Sequence, residues 1–499
     1  MRLAILILLL VPVLHALAAP PTTVPAPAAP EGTRVPADEF WSDEPQLLIS
    51  AVTLDPETRR LTINGQNFGG HRLPTVKLGS IFLTLSRSTD STLVTDPLPA
   101  DLPVGTHLVS VVAGNDRTRF AVYHLVIGGP PTTTAAPSQA QPNQIRIIDQ
   151  VGDVGWHTAI AVGTDGAPLI AYLDYTNHDL KLAQCRDPSC SSAAIRSLDT
   201  EGDLGWCNAL VVGPDGLPRL AYFDNTLKDL KFARCEDPRC QVFKPRVLDA
   251  EGQVGQHSAL MLGSDGLPVM SYYDKTRGDL KVAHCADQDC TEVTRSTVDS
   301  AGNVGWYTDI AVGAHGHPII SYFDVTRRDL KVAQCKDLPC TSATITVLDT
   351  GGVGLGTAIT VPRDGLPIIV YWDFFNDDLK LARCTNPQCT KADFTVIDST
   401  GAVGSNAAMT LGVDGTPIIS YHDHTNSSLK VAHCEDPDCI RVKITTPDAG
   451  GSVGWHTDIA IGADGLPIIS YYDETNGDLK FLHCGDAACA SVAAEEKPK

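Results

Sequence analysis

The sequence predicts an all-β protein that consists of a small β-sandwich and a seven-bladed β-propeller of four-stranded blades. A unit of about fifty residues occurs seven times in a row. Each copy contains four β-rich runs, and turn-forming residues separate them. No segment keeps a helical 3.6-residue period for more than a turn or two. Seven copies of a four-stranded unit, repeated this regularly, are typical of a propeller.

The repeat is marked by an Asp-Gly pair or its equivalent. In the first copy the four runs are residues 157–163, 168–174, 179–185 and 193–199. A further run, 145–149, precedes this copy, and we expect it to pair as the outer strand of the blade built from 457–485. That pairing would close the ring and leave no open sheet edge. The marker residues, 50 residues apart except for one step of 49, are Asp165, Asp215, Asp265, His315, Asp364, Asp414 and Asp464.

The N-terminal residues are typical of an exported protein. Residues 1–18 combine Arg2, an apolar run and a small-x-small cleavage site, which predicts a signal peptide. We expect a Pro/Ala-rich linker at 19–45, a second linker at 128–143, the propeller at 144–494 and a tail at 495–499. The predicted location is secreted or on a bacterial cell surface, without membrane insertion.

Residues 46–127 predict a small sandwich, because β-rich runs alternate with Gly, Asp and Pro turns. The runs LTINGQNFGG, PTVKLG and LPVGTHLVSVVAGN resemble the IPT/TIG family of immunoglobulin-like domains. The resemblance implies a spacer or interaction module, and it brings no catalytic residue.

The fifty-residue units resemble repeats of exported bacterial proteins that read GxPxISYYDxTNGDLK, as in GLPIISYYDETNGDLK of the last copy. This resemblance implies fold and location only. The Asp-box of sialidases is not matched, since GTDGAPLI and GADGLPII lack its ordered aromatic residue. Arginines also fail to recur at one position of the unit, so a sialidase is not expected.

Cysteine usage predicts disulfides. The chain has 15 cysteines, of which Cys207 is the odd one and is expected to be a free thiol. A metal clip would have only two thiolates per blade, which is too few for zinc. The seven C-x4-C pairs are Cys185 and Cys190, Cys235 and Cys240, Cys285 and Cys290, Cys335 and Cys340, Cys384 and Cys389, Cys434 and Cys439, and Cys484 and Cys489.

The formal net charge of −21 argues against nucleic acid or an anionic membrane as the partner. No cofactor is expected. Calcium is an alternative, because the hairpin D-x-T-x-x-D-L-K carries several oxygen donors, although it lacks the glycine-centred spacing of a known calcium loop. The hairpin is more simply explained by Asp and Thr side chains that bond the turn and by an Asp–Lys pair across it.

Residues present in every copy are expected to be architectural, since one asymmetric site cannot need seven copies of a residue. A Tyr recurs in the second run of each copy, as in Tyr172, where we expect its hydroxyl to bond to the backbone. An Asp ends the same run, as in Asp174, and a Lys follows in the third, as in Lys181.

Differences between copies indicate where a ligand could bind. The loops that enter the innermost strands and the second-to-third strand turns are expected to surround one mouth of the channel. Aromatic rings beside polar groups suit sugar or peptide recognition. Two alternatives stay open, namely Trp side chains that cap their own blades and a metal site of His157, His257 and His456. The predicted ligand-binding residues are Trp156, His157, Trp206, Trp306, Tyr307, Trp455 and His456.

Two positions near the start of the innermost strands, Asp309 and Asp458, hold carboxylates where other copies have Ala. Such a pair could serve acid/base hydrolysis if the two groups lay close enough. The sequence therefore predicts a monomeric, non-enzymatic binding protein that recognises a glycan or a protein at a Trp-lined mouth. The alternative is a carbohydrate-active hydrolase or lyase with one asymmetric site.

Overall fold

The computed structural model describes residues 48–127, except 56–57, 69–72, 79–80, 100–104 and 114–115, and residues 141–490, except 314 and 363. The predicted signal peptide, the first linker, most of the second linker and the C-terminal tail lie outside these ranges. The described residues contain strands and turns and no helix, so the predicted all-β class is confirmed. Accordingly, no helix within these ranges is long and apolar enough to cross a membrane.

The first folded part is a sandwich of two four-stranded antiparallel sheets, ordered β1-β2-β6-β5 and β4-β3-β7-β8. Its core is mainly aliphatic, with Leu61, Ile63, Val76 and Val109 fully buried or nearly so, and it includes one aromatic residue, Phe68. Residues 75–88 contain three short strands. Membership of the IPT/TIG family stays a prediction. The strands are β1 (Leu48–Leu54), β2 (Leu61–Gln66), β3 (Thr75–Leu78), β4 (Ile81–Leu83), β5 (Leu85–Ser88), β6 (Thr92–Thr95), β7 (Gly105–Ala113) and β8 (Asp116–Ile127).

The second folded part contains seven four-stranded antiparallel sheets, which we number as blades 1 to 7. Blade 1 contains β10 (Val154–Val162), β11 (Pro168–Asp174), β12 (Asp179–Cys185) and β13 (Ala193–Asp199); blade 2, β14 (Leu204–Val212), β15 (Pro218–Asp224), β16 (Asp229–Arg234) and β17 (Arg246–Asp249); blade 3, β18 (Val254–Leu262), β19 (Pro268–Asp274), β20 (Asp279–Cys285) and β21 (Val293–Asp299).

Blade 4 contains β22 (Val304–Val312), β23 (Pro318–Asp324), β24 (Asp329–Cys335) and β25 (Ala343–Asp349); blade 5, β26 (Val353–Thr360), β27 (Ile368–Asp373), β28 (Asp378–Cys384) and β29 (Ala392–Asp398); blade 6, β30 (Val403–Leu411), β31 (Pro417–Asp423), β32 (Ser428–Cys434) and β33 (Val442–Asp448). Blade 7 contains β34 (Val453–Ile461), β35 (Pro467–Asp473), β36 (Asp478–His483) and β9 (Gln144–Asp149).

The ring closes as predicted, because β9 is the outer strand of blade 7. Ile147 of β9 pairs with Lys480 of β36 in an antiparallel ladder. The side chain of Asn143 adds two hydrogen bonds. Its Nδ2 donates to the carbonyl of Cys489 (2.7 Å), and its Oδ1 accepts from the N–H of Gly485 (2.9 Å). The residue before β9 is therefore hydrogen-bonded to the cysteine turn of blade 7.

The prediction was wrong about where the innermost strand of blade 1 begins. In blade 1 the strand starts at Val154, three residues before the predicted run, and pairing is irregular from Val154 to Ala159. The cause is a bulge at His157, whose backbone is left-handed with φ of +50°. Trp156 and His157 consequently lie within a strand that is bent at the mouth, and not in a free loop.

The recurring Tyr and Lys join neighbouring blades through a second repeated Asp, which ends each outer strand. Tyr172 and Lys181 of blade 1 both donate to Oδ2 of Asp149, the last residue of the preceding blade's outer strand, at 2.7 and 2.6 Å. The prediction that the Tyr hydroxyl bonds to the backbone was wrong, because a buried carboxylate takes it. The same network recurs at Tyr222–Asp199–Lys231, Tyr272–Asp249–Lys281, Tyr322–Asp299–Lys331, Tyr371–Asp349–Lys380, Tyr421–Asp398–Lys430 and Tyr471–Asp448–Lys480.

The hairpin between the second and third strands is held by bonds among its own residues. Asp174 accepts from the N–H and Nδ2 of Asn177, each at 2.9 Å, and lies 3.3 Å from Lys181 Nζ. The predicted Asp–Lys pair is thus present as a second, longer contact. Because both oxygens of Asp174 are engaged in this way, the hairpin favours the turn interpretation over calcium binding.

All seven C-x4-C pairs form disulfides, with Cα–Cα distances of 4.7 to 4.9 Å. Each closes a turn in which the second cysteine donates its N–H to the carbonyl of the second residue in the loop, as Cys190 does to Asp187. Seven disulfides fit an extracellular protein, because such bonds persist in oxidising compartments. Cys207 has a free thiol, as predicted.

Candidate functional site at the propeller mouth

Two sets of loops meet at one face of the propeller. In blade 1 the N–H of Asp153 donates to Thr176 Oγ1 (2.7 Å), and the N–H of Tyr175 donates to the carbonyl of Asp153 (2.8 Å). These bonds join the loop that enters the innermost strand to the second-to-third strand turn. The predicted juxtaposition of the two sets is therefore present, and we call this face the mouth.

A ring of left-handed residues lies at the mouth, one per blade. Their φ values run from +49° to +61°, which is uncommon for residues other than glycine. Since seven residues of differing chemistry share this strained conformation, the blade architecture imposes it and leaves the side chain free to vary. The ring consists of His157, Cys207, His257, Tyr307, Gly356, Asn406 and His456.

Four predicted residues and two others form one aromatic cluster across blades 7, 1 and 2. Trp156 stacks on Tyr175 (ring centroids 5.1 Å apart) and contacts His456 (5.2 Å) and Tyr472 (5.1 Å). His157 in turn contacts Trp206 (5.5 Å) and His456 (4.3 Å). We call this set the aromatic platform: Trp156, His157, Tyr175, Trp206, His456 and Tyr472.

The remaining predicted aromatics lie elsewhere around the mouth. Trp306 and Tyr307 contact His257, at 5.4 and 4.3 Å between centroids. Trp455 stacks on His422 at 4.3 Å. The structure therefore does not gather all seven predicted residues into one site.

Each Trp of the platform is half-buried and bridges two blades. Trp156 contacts rings of blade 7, and its Nε1 donates to Asp153 Oδ1 at 2.9 Å. Trp206 likewise donates to Asp203 Oδ1 at 2.6 Å. The interpretation that each Trp caps the core of its own blade is wrong, because its aromatic partners include side chains of the preceding blade.

Sequence reasoning missed several aromatic residues on the second strands and their turns. Tyr175 is 41 % exposed and Phe375 is 77 % exposed, both in the turn that follows the second strand. Trp372 and His424 contact each other at 5.8 Å. The sequence did contain a pattern that could have identified these residues. The position after the repeated Tyr always carries a bulky side chain, and the position after the repeated Asp varies between copies.

The histidines of the ring are uncharged at neutral pH. Burial lowers the pKa of His157 to about 4 and that of His257 to about 3, and it also lowers the pKa of His456. His157 and His456 are neighbours, whereas His257 contacts Trp306 and Tyr307. Within the residues described, no three His, Cys, Asp or Glu side chains are grouped to hold a metal ion.

The carboxylates of Asp309 and Asp458 link innermost strands. Asp309 accepts from the N–H of Ile310 (2.8 Å) and from that of Ile359 in blade 5 (2.7 Å). Asp458 repeats this arrangement with Ile459 (2.9 Å) and with Ile160 in blade 1 (2.8 Å). Both lie in the middle of their strands, not near the start as predicted. Burial raises the pKa of each to about 6.

Comparisons with known proteins find only distant structural likeness. No family model matches the chain, and no curated protein matches it. Hydrazine synthase of Kuenenia stuttgartiensis is 11 % identical, with 68 % of this chain and 98 % of that chain covered and a TM-score of 0.47. The NanB sialidase of Streptococcus pneumoniae is 9 % identical, with 87 % of this chain and 82 % of that chain covered and a TM-score of 0.40. The SapL1 lectin in complex with alpha methyl fucoside is 12 % identical, with 59 % of this chain and 97 % of that chain covered and a TM-score of 0.41. Likeness at this level supports no functional argument.

Proposed function

We propose that this protein binds a carbohydrate at the mouth of its propeller and that it is not an enzyme. The observation that carries the proposal is the aromatic platform, in which Tyr175 stacks on Trp156 and keeps 41 % of its surface exposed. A flat ring held in this way offers an apolar surface to the C–H face of a sugar, while polar atoms around it can bond hydroxyl groups.

The platform is prepared before any ligand arrives. Asp153 accepts both from Trp156 Nε1 (2.9 Å) and from the hydroxyl of Tyr472 (2.7 Å), so two rings are fixed through one carboxylate. Rigid aromatic side chains lose little conformational entropy on binding, which favours recognition. The neutral histidines beside them add ring surface without charge.

Hydrolysis remains the alternative, but the bonds of Asp309 and Asp458 weigh against it. A glycosidase needs one carboxyl to protonate the leaving group and another to attack or activate water. Here all four carboxylate oxygens accept strand N–H groups. These bonds join neighbouring blades, which explains the two carboxylates without catalysis. A protein ligand is the other candidate, and the test below distinguishes it from a glycan.

The test is a glycan-array assay on the mature chain, with Tyr175→Ala as the variant. We expect the variant to lose affinity about tenfold, because a stacking contact of about 1.4 kcal/mol disappears. EDTA should leave binding unchanged, since the hairpin carboxylates are engaged by protein groups. Catalysis is checked on the same array by release of reducing ends.

Leu227→Ala is the matched control, because Leu227 is also exposed and lies in the corresponding turn of blade 2. It should bind as the native protein does. If no glycan binds, the carbohydrate proposal is wrong and a protein ligand takes its place. If Tyr175→Ala binds normally while glycans do bind, the platform is not the site.

A further inference from the structure

Neighbouring blades meet at the mouth through a pair of residues. One member is the ring residue of a blade, and the other occupies the Trp156 position in the next blade. At three interfaces the pair is an imidazole and an indole: His456 with Trp156, His157 with Trp206, and His257 with Trp306, at 5.2 to 5.5 Å between centroids. These large pairs fill the mouth at blades 7–1, 1–2 and 3–4.

The interface of blades 5 and 6 has the smallest pair, Gly356 and Ser405. A Cβ placed on Gly356 would meet a single atom within 4 Å, the backbone nitrogen of Asn406 at 3.7 Å. By contrast, a Cβ on Gly354 would clash with the backbone of Leu330 at 2.7 Å. The backbone of Gly356, with φ of +61°, is also one that His, Cys, Tyr and Asn adopt in the other blades. Neither space nor conformation requires glycine there.

Aromatic rings and unpaired polar atoms surround this small pair. Trp372 and His424 are equivalent in the repeat to Tyr472 and Tyr175, which enclose Trp156 at the blade 7–1 interface. With Ser405 in place of an indole, the two rings contact each other directly at 5.8 Å, with an angle of 32° between their planes. Ser405 is 4 % exposed, and its Oγ and Trp372 Nε1 are buried without a hydrogen-bond partner. Buried polar atoms rarely stay unpaired.

We propose that this gap, formed by Gly356, Trp372, Ser405, Asn406 and His424, is the subsite that receives one uncharged sugar unit. The proposal rests on the carbohydrate-binding function proposed above and adds to it a second contact region at blades 5 and 6, separate from the aromatic platform at blades 7, 1 and 2. The ring of the sugar lies against Trp372 and His424 on the side of Gly356, in the space that an imidazole takes at three other interfaces. Its hydroxyl groups supply the partners that Ser405 Oγ and Trp372 Nε1 lack. None of the five residues that form the gap is a Lys, Arg, Asp or Glu. A charged sugar would therefore gain no ion pair with them and no affinity over a neutral one.

The test fills the gap with the pair that other blades already carry. The variant Gly356→His with Ser405→Trp is compared with the native protein on an array of neutral and acidic oligosaccharides. We expect binding of neutral glycans to fall more than tenfold, because the added rings occupy the space of the sugar. The control is Cys207→His with Gln256→Trp, which builds the same pair at the blade 2–3 interface and should leave binding unchanged.

The outcomes separate the two proposals. If the native protein binds glycans and the filled variant binds them equally well, or if only acidic glycans bind, the gap is not the subsite while the carbohydrate function stands. If the native protein binds no glycan, both proposals fall. Should the double variant not fold, Gly356→Asn provides a smaller obstruction, since Asn406 adopts the same backbone conformation. Asn at this position should still weaken binding, and unchanged binding overturns the inference.

Discussion

At the scale of the residue, Asp309 shows how a buried carboxyl couples stability to pH. Its pKa is raised from 3.8 to about 6 by burial, so the folded state binds more protons than the unfolded state between these values. Folding stability from this group therefore falls as the pH rises through that window. The two N–H groups that donate to it limit the rise and do not cancel it.

We expect Asp309→Asn to be better tolerated at pH 7.5 than at pH 4.5. As the pH rises from 4.5 to 7.5, the free energy of unfolding of the variant should increase by up to about 2 kcal/mol relative to that of the native protein. Each pKa unit corresponds to about 1.4 kcal/mol. The reason is that an amide carries no charge to desolvate at the higher pH. Urea unfolding at the two pH values measures this difference.

Asp187→Asn is the control for this pH experiment. Bonds from Ser189 and Ser191 lower the pKa of Asp187 to about 2, so its contribution to stability is lost only as the pH falls below the ordinary value of 3.8. The free energy of unfolding of this variant, relative to that of the native protein, should hardly change between pH 4.5 and 7.5. An equal change in both variants would mean that burial of Asp309 is not the cause.

At the scale of the element, the Tyr–Asp–Lys network decides how blades are joined. Asp249 of blade 2 is 1 % exposed and accepts from Tyr272 and Lys281 of blade 3. We expect Asp249→Ala to cost about 3 to 5 kcal/mol, because a buried ammonium loses its carboxylate. Tyr272→Phe should cost about 1 kcal/mol, because it removes one hydrogen bond and keeps the ion pair. Denaturant unfolding ranks the two variants, and a reversed order would refute this assignment.

The cysteine turns stabilise individual blades. Replacement of Cys285 and Cys290 by Ser should lower the free energy of unfolding by about 2 kcal/mol, because a disulfide across so short a loop restricts the unfolded chain only modestly. The comparison is urea unfolding of the variant and of the native protein, both without reductant. A much larger loss would show that the turn organises contacts beyond its own blade.

At the scale of the whole molecule, ring closure depends on the pairing of chain segments far apart in sequence. We expect Asn143→Ala to loosen blade 7, because Asn143 bonds both Cys489 and Gly485. Amide hydrogen exchange should quicken in β9 and β36 and stay unchanged in β21. Asn376→Ala removes one side-chain hydrogen bond within a single turn, from Asn376 Nδ2 to Asp373, and serves as the control. Faster exchange in every blade would mean that the ring opens as one unit and not at its closure.

The sequence alone determined the all-β class, the four strands of each repeat, the seven disulfides and the strand that closes the ring. These features follow from local chemistry: turn residues, alternation and cysteine spacing recur every fifty residues and need no knowledge of distant contacts. In blade 1, three of the four predicted strands have the bounds that the structure shows.

Tertiary structure decided what lies at the mouth. The bulge at His157, the bridging role of Trp156 and the use of Asp309 as a link between strands depend on how neighbouring blades approach each other. The contact between Trp372 and His424 beside Gly356 could not be read from the sequence either, since the two rings lie on different blades. A repeat sequence specifies each blade, but a site between blades is made of contacts that appear only when the ring is closed.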